Sequence, residues 1–205
     1  MVLLTLAVTL RLLGILAYAV AVYRRTARPN LVTWCCWAST PLIGGIAQHL
    51  DGRGAAAWFT MSYALGPILI LGIALARNAF SARLTAFDLV CAGCAAIGLV
   101  LWQVTTSPQW ALLFAVLADV AAAMPTLLKT YRRPGTEPVK AYALSILAGT
   151  TALLGLDDHR LGSIAFSLGV LTIDVSVVTL ALTRRRKSQG APRAHTRIER
   201  QQGVV

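Results

Sequence analysis

Apolar residues run for about twenty positions at a time along this chain, and short basic or turn-forming stretches separate the runs. Crossing ~30 Å of hydrocarbon takes ~20 mostly apolar helical residues. Seven segments meet that requirement: Val2–Tyr23, Leu31–Leu50, Ala55–Ala76, Leu84–Val104, Gln109–Leu128, Val139–Leu156 and Leu161–Thr183. The sixth is the shortest. Backbone groups in lipid must be satisfied within their own segment, so each run predicts a helix. The alternation of a membrane β-barrel strand is absent from these runs. The first run lacks a basic start, is too long for a secretory signal, and is followed by Arg24, Arg25 and Arg28, which is the wrong polarity for one.

Composition agrees with that pattern. Of the 205 residues 57% are hydrophobic and 13% charged, and mean hydropathy is +0.66. A soluble domain carries about a quarter charged residues, so lipid is the expected solvent for most of the surface. The net charge of +11 does not point to nucleic acid, because the basic residues gather between the apolar runs. Sixteen fall on alternate connections and the tail: Arg24, Arg25 and Arg28; Arg77 and Arg83; Lys129, Arg132, Arg133 and Lys140; and seven from Arg184 to Arg200. The opposite connections hold only Arg53 and Arg160, beside Asp51, Asp157 and Asp158. This bias predicts an outside N-terminus and a cytoplasmic C-terminus, with Trp58, Trp102 and Trp110 at outer helix ends and Tyr23, Trp34 and Tyr131 at inner ones. The expected location is a bacterial plasma membrane. The tail 184–205 reads as disordered, with Arg184, Arg185, Arg186 and Lys187 against the anionic inner leaflet.

A repeat runs through the pattern. Shifted by 108 residues, Tyr23-Arg24-Arg25 lands on Tyr131-Arg132-Arg133; one residue later in register Pro29 meets Pro138, and Tyr63–Gly66 can be laid on Phe166–Gly169. A three-helix unit is odd, so two copies in the same orientation need one linking helix. The expected organisation is a first triplet over 1–78, a linker helix over 79–106, a second triplet over 107–183 and the tail, in a 3+1+3 parallel-repeat bundle. Met124-Pro125-Thr126-Leu127-Leu128-Lys129-Thr130-Tyr131-Arg132-Arg133 resembles the signature of the SWEET, SemiSWEET and PQ-loop superfamily, where a Pro-Gln pair precedes a basic inner loop. The architecture covers about residues 1–183 and the motif barely twenty. The resemblance implies transport of a small polar solute, sugar first. Thr126 stands where the family has glutamine, and Ala17-Tyr18 occupies the corresponding place in the first repeat. The prolines match only at Pro41 and Pro125, and the sugar-pocket asparagines are missing, since Asn30 and Asn78 lie near inner helix ends.

Charges within the apolar runs are the candidate site. A mid-helix Arg or Asp costs ~2.5–3.5 kcal/mol on insertion scales, so such residues face a cavity or a partner. Arg11 and Asp119 lie ~14 and ~15 Å into the first and fifth helices and fall on each other under the 108-residue shift. Either they line the solute cavity or they form a static ion pair that fixes packing. Asp174, nearer the basic side, is a candidate for proton exchange during transport, or else is held by Thr172 or Ser176. Asp88 reads as interfacial. Pro41, Pro67 (in Gly66-Pro67) and Pro125 are hinge or kink candidates. Trp37 shares a helix face with Trp34 as a gate or an anchor, and Gly44-Gly45 and Ala148-Gly149 permit close helix approach.

Other chemistry finds little footing. Cys35, Cys36, Cys91 and Cys94 sit in apolar runs, and with His49, His159 and His195 scattered no metal set is expected. Asp157-Asp158-His159 lies on a short outer turn, so neither catalysis nor a cofactor is expected, and the last helix lacks the buried lysine that retinal needs. The expected function is a transporter or facilitator of a small polar solute, sugar or amino-acid-like, working by alternating access with proton coupling through Asp174. The alternative is a non-transporting receptor or accessory protein on the same scaffold. Self-association is left open.

Overall fold

A computed structural model describes residues 2–50, 61, 63–81, 84–105, 108–155 and 161–190. Among them the chain is all helix, without a strand: α1 Val2–Tyr23, α2 Leu31–Leu50, α3 Leu65–Ala76, α4 Ala86–Val104, α5 Pro108–Arg132, α6 Val139–Leu154 and α7 Leu161–Gly190, with one 3₁₀ turn at Pro134–Thr136. Three stretches, Thr5–Tyr23, Ala86–Val104 and Leu113–Arg132, are long and apolar enough to cross a membrane. Large apolar side chains such as Leu12, Leu16, Val90, Ile97 and Val100 are exposed on the outer faces, as a lipid-facing surface requires.

α1 and α2 coincide with the expected segments and α4 and α6 are each two residues shorter, whereas three elements depart further from expectation. Within Ala55–Ala76 the residues Tyr63 and Ala64 form a turn, so α3 begins only at Leu65. α5 continues one turn beyond Leu128, through Lys129 to Arg132. The basic tail is helical through Gly190, which corrects the expectation of disorder from Arg184 onward. Contacts explain that extension: the Arg184 guanidinium stacks 3.4 Å from the centre of the Tyr131 ring, and Arg185 donates to the carbonyls of Pro134 and Glu137, each at 2.9 Å. Residues 191–205, with Asp51, Arg53, Trp58, Arg83, Asp157, Asp158, His159 and Arg160, lie outside the described residues, as do the side chains of Trp110 and Lys187.

Polar caps fix the helix starts at the basic-loop end. Asn30 Oδ1 accepts from the Thr33 N–H at 3.2 Å, capping α2. The Asn30 amide donates to Asp88 Oδ1 at 2.9 Å. Thr85 and Asp88 complete a reciprocal capping box at the start of α4. Asp88 is buried by these bonds rather than interfacial. One cluster of four residues thereby ties α2 to α4.

Neighbouring helices pack in a definite scheme. α3 contacts α1 and α2, and α7 contacts α5 and α6; α1 packs against α6, α2 against α5, and α4 against α5 and α2. Small residues allow the approach: a Cβ on Gly98 of α4 would meet the Ala118 Cβ of α5 at 2.9 Å, and Gly14 of α1 faces the Ala141 carbonyl of α6. Gly149 similarly faces Leu171 of α7. Equivalent contacts recur at a spacing of 107 to 109 residues. Tyr18 meets Tyr142 edge-on at 6.0 Å, while Thr126 donates to Thr33 at 3.0 Å. Arg77 stacks on Tyr23 as Arg184 stacks on Tyr131.

Candidate functional site

On α1, Ala7, Gly14, Tyr18 and Val22 form a buried stripe at helical spacing. Arg11 belongs to that stripe, yet it is exposed. Its guanidinium lies over the Tyr63 ring, 4.8 Å from the centroid. On α5, Asp119 occupies the matching position, half-buried above Ala122, Ala123, Thr126 and Thr130. Arg11 and Asp119 do not close an ion pair: among the described residues the one ion pair within 4 Å is Lys129–Glu137. Instead Arg11 lies within electrostatic range of both Asp119 and Asp174.

Asp174 has a partner that its position in the sequence does not reveal. Ser145 of α6 donates to Asp174 Oδ2 at 2.6 Å. The neighbours considered on its own helix are spent elsewhere, since Thr172 donates to the Leu168 carbonyl and Ser176 to that of Thr172. Trp37 of α2 packs edge-on to Trp34, ring centres 5.3 Å apart. Its buried indole N–H has no hydrogen-bond partner among the described residues and comes near Asp119 without closing a bond to it. The set brought together is therefore Arg11, Trp37, Asp119, Ser145 and Asp174, from α1, α2, α5, α6 and α7.

The prolines divide. Pro41 and Pro125 lie inside α2 and α5, where each removes an N–H from the helical ladder. Pro67 lies in the first turn of α3, where that N–H has no helical partner to lose. No ladder bond is interrupted there, which corrects its reading as a mid-helix break.

Below the charged set, toward the basic loops, the bundle is closed by a polar plug that sequence reasoning missed. Glu137, in the turn before α6, is almost fully buried, at 1% exposure. Its carboxylate pairs with Lys129 of α5 and accepts from the Tyr18 hydroxyl of α1 at 3.0 Å. The Lys129 ammonium also donates to the Arg28 carbonyl, and the Arg28 N–H donates to the Thr136 carbonyl at 3.0 Å. Trp34 stacks on Tyr18 at 4.6 Å and is buried in the core with Tyr142, which corrects its expected place at the lipid interface. The Trp34 N–H and the Tyr142 hydroxyl are buried without hydrogen bonds among the described residues. A buried acid in a polar turn leaves no periodic trace; the one available signal was a Glu spaced to reach back to Lys129.

Chemically, the set offers one cation, two carboxylates and the Trp37 N–H to a small polar molecule. The described residues contain no group of His, Cys, Asp and Glu side chains able to hold a metal, and Cys35, Cys36, Cys91 and Cys94 are free thiols. Compared with models of known protein families, with curated proteins and with solved structures, the chain finds no match.

Proposed function

We propose that this chain is a seven-span, N-out membrane transporter or facilitator of a small polar solute, built as two like-oriented helical triplets (α1–α3 and α5–α7) joined through α4. The observation that carries the reading is Arg11: it sits on the inward stripe of α1, where every described neighbour toward the basic loops is buried, and is itself exposed. A charge at mid-span that meets neither an ion-pair partner nor the packed core marks a water-filled path. The repeat is supported by α3 and α7 each packing between the other two helices of its triplet, and by the matching Tyr18–Tyr142 and Thr33–Thr126 contacts. Both of those contacts join helices of different triplets. The solute binds among Arg11, Trp37, Asp119 and Asp174, and is sugar or amino-acid-like.

Alternating access then requires the Lys129–Glu137–Tyr18 plug to part on the cytoplasmic side while the outer side closes over Arg11. Buried donors without hydrogen bonds among the described residues, at Trp34 and Tyr142, leave the plug short of full satisfaction, so an alternative arrangement lies within reach. Pro41 and Pro125 are placed to bend α2 and α5, and Asp174 is the group for proton coupling. Uptake or efflux of a labelled panel of sugars and amino acids in proteoliposomes, with and without a pH gradient, tests the reading. Movement of a panel member above protein-free vesicles, reduced about tenfold or more by Asp119→Asn as for a lost charged contact, is the expected result. Equal flux with and without protein would favour the accessory-protein alternative.

A further inference from the structure

A crevice of about 710 Å³ opens between α1 and α6 at the basic-loop end. Its apolar wall is formed by Leu13, Leu16 and Val20 of α1 and Leu144 of α6. The three α1 residues stand one or two turns apart on one face, are about half exposed, and extend ~10 Å along the helix. The polar mouth carries Lys140 and Arg185. Lys140 is exposed and makes no ion pair among the described residues. Arg185 spends Nε and Nη2 on the Pro134 and Glu137 carbonyls, leaving Nη1 free of those bonds. The acid that also lines the crevice, Glu137, has its carboxylate neutralised by Lys129, so the mouth keeps a net positive charge.

From this we infer that the crevice binds an anionic glycerophospholipid, its phosphate between Lys140 and Arg185 and one acyl chain along Leu16 and Val20. The long apolar wall matches the chain, and the two cations match the headgroup and sit at the end where anionic lipids gather. The site spans the α1–α6 contact, so the lipid bridges the two halves of the bundle. The inference rests on the N-out orientation proposed above, and not on whether the protein transports.

Native mass spectrometry of the full chain, released from micelles containing equal phosphatidylglycerol and phosphatidylcholine of identical acyl chains, tests it. The phosphatidylglycerol adduct is expected to dominate. Lys140→Gln should weaken it about fivefold, the worth of one lysine near an anionic surface. Leu16→Trp, which fills the crevice, should remove it, while Val90→Trp on the exposed face of α4 should leave it intact. Equal retention of the two lipids, or indifference to both Lys140→Gln and Leu16→Trp, would show only a general lipid annulus and overturn the site. Loss of the adduct on adding inorganic phosphate would make it a free-anion site and overturn the lipid assignment. If a variant does not fold, the comparison of the two lipids on the unaltered chain still decides.

Discussion

Glu137 is the residue whose role is most sharply set by its surroundings. Removing its partner strands a buried carboxylate, and breaking a buried ion pair that way costs about 3–5 kcal/mol. Lys129→Met should therefore lower unfolding stability in micelles by about that much, whereas Lys129→Met with Glu137→Leu should recover at least half of the loss; a denaturant titration checks both. If the single variant is as stable as the unaltered protein, the carboxylate is not closed in as described. Arg11 and Asp119 behave differently, because neither is locked in an ion pair among the described residues. Asp119→Asn should leave unfolding stability within about 1 kcal/mol, the usual scale for single substitutions, while lowering solute flux. These two residues are legible in the sequence because a charge in an apolar run stands out. Glu137 is not, since an acid in a polar turn looks solvated until the turn folds back beneath Tyr18 and Lys129.

Helix limits follow the same division between local and tertiary causes. The apolar runs of α1 and α2 give their bounds directly, since an unbroken apolar run is a property of the segment alone. The start of α4 is written locally too, in Thr85 and Asp88. Thr85→Ala removes the reciprocal cap and should destabilise the fold by about 1 kcal/mol, measurable by the same titration. The end of α7 is set by contacts: residues 184–190 have no apolar period, and Arg184 and Arg185 hold their part of the extension through Tyr131, Pro134 and Glu137. Close packing between elements makes a further demand. Gly98→Val would drive its side chain into Ala118 Cβ and the Phe114 carbonyl, forcing α4 away from α5. The expected loss is about 1–3 kcal/mol, as for overpacking of a core. Unchanged stability of Gly98→Val would mean that α4 does not rest on α5 there.

At the scale of the whole molecule, the charge bias, the repeat and the buried plug bear on a single proposal: a polar path that water enters from the α1 N-terminal end and that stops at Tyr18. Arg11 and Tyr18 share one face of α1, two turns apart, yet Arg11 is exposed and Tyr18 buried. That contrast is testable without knowing the solute. In a chain with its four cysteines replaced by serine, Arg11→Cys is treated in sealed proteoliposomes of known orientation with a membrane-impermeant, water-soluble thiol reagent. Modification from the N-terminal side alone is expected, with Tyr18→Cys in the same background unreactive from either side. Modification of Arg11→Cys solely by a lipid-soluble reagent would place the position in the bilayer and rule out the water path.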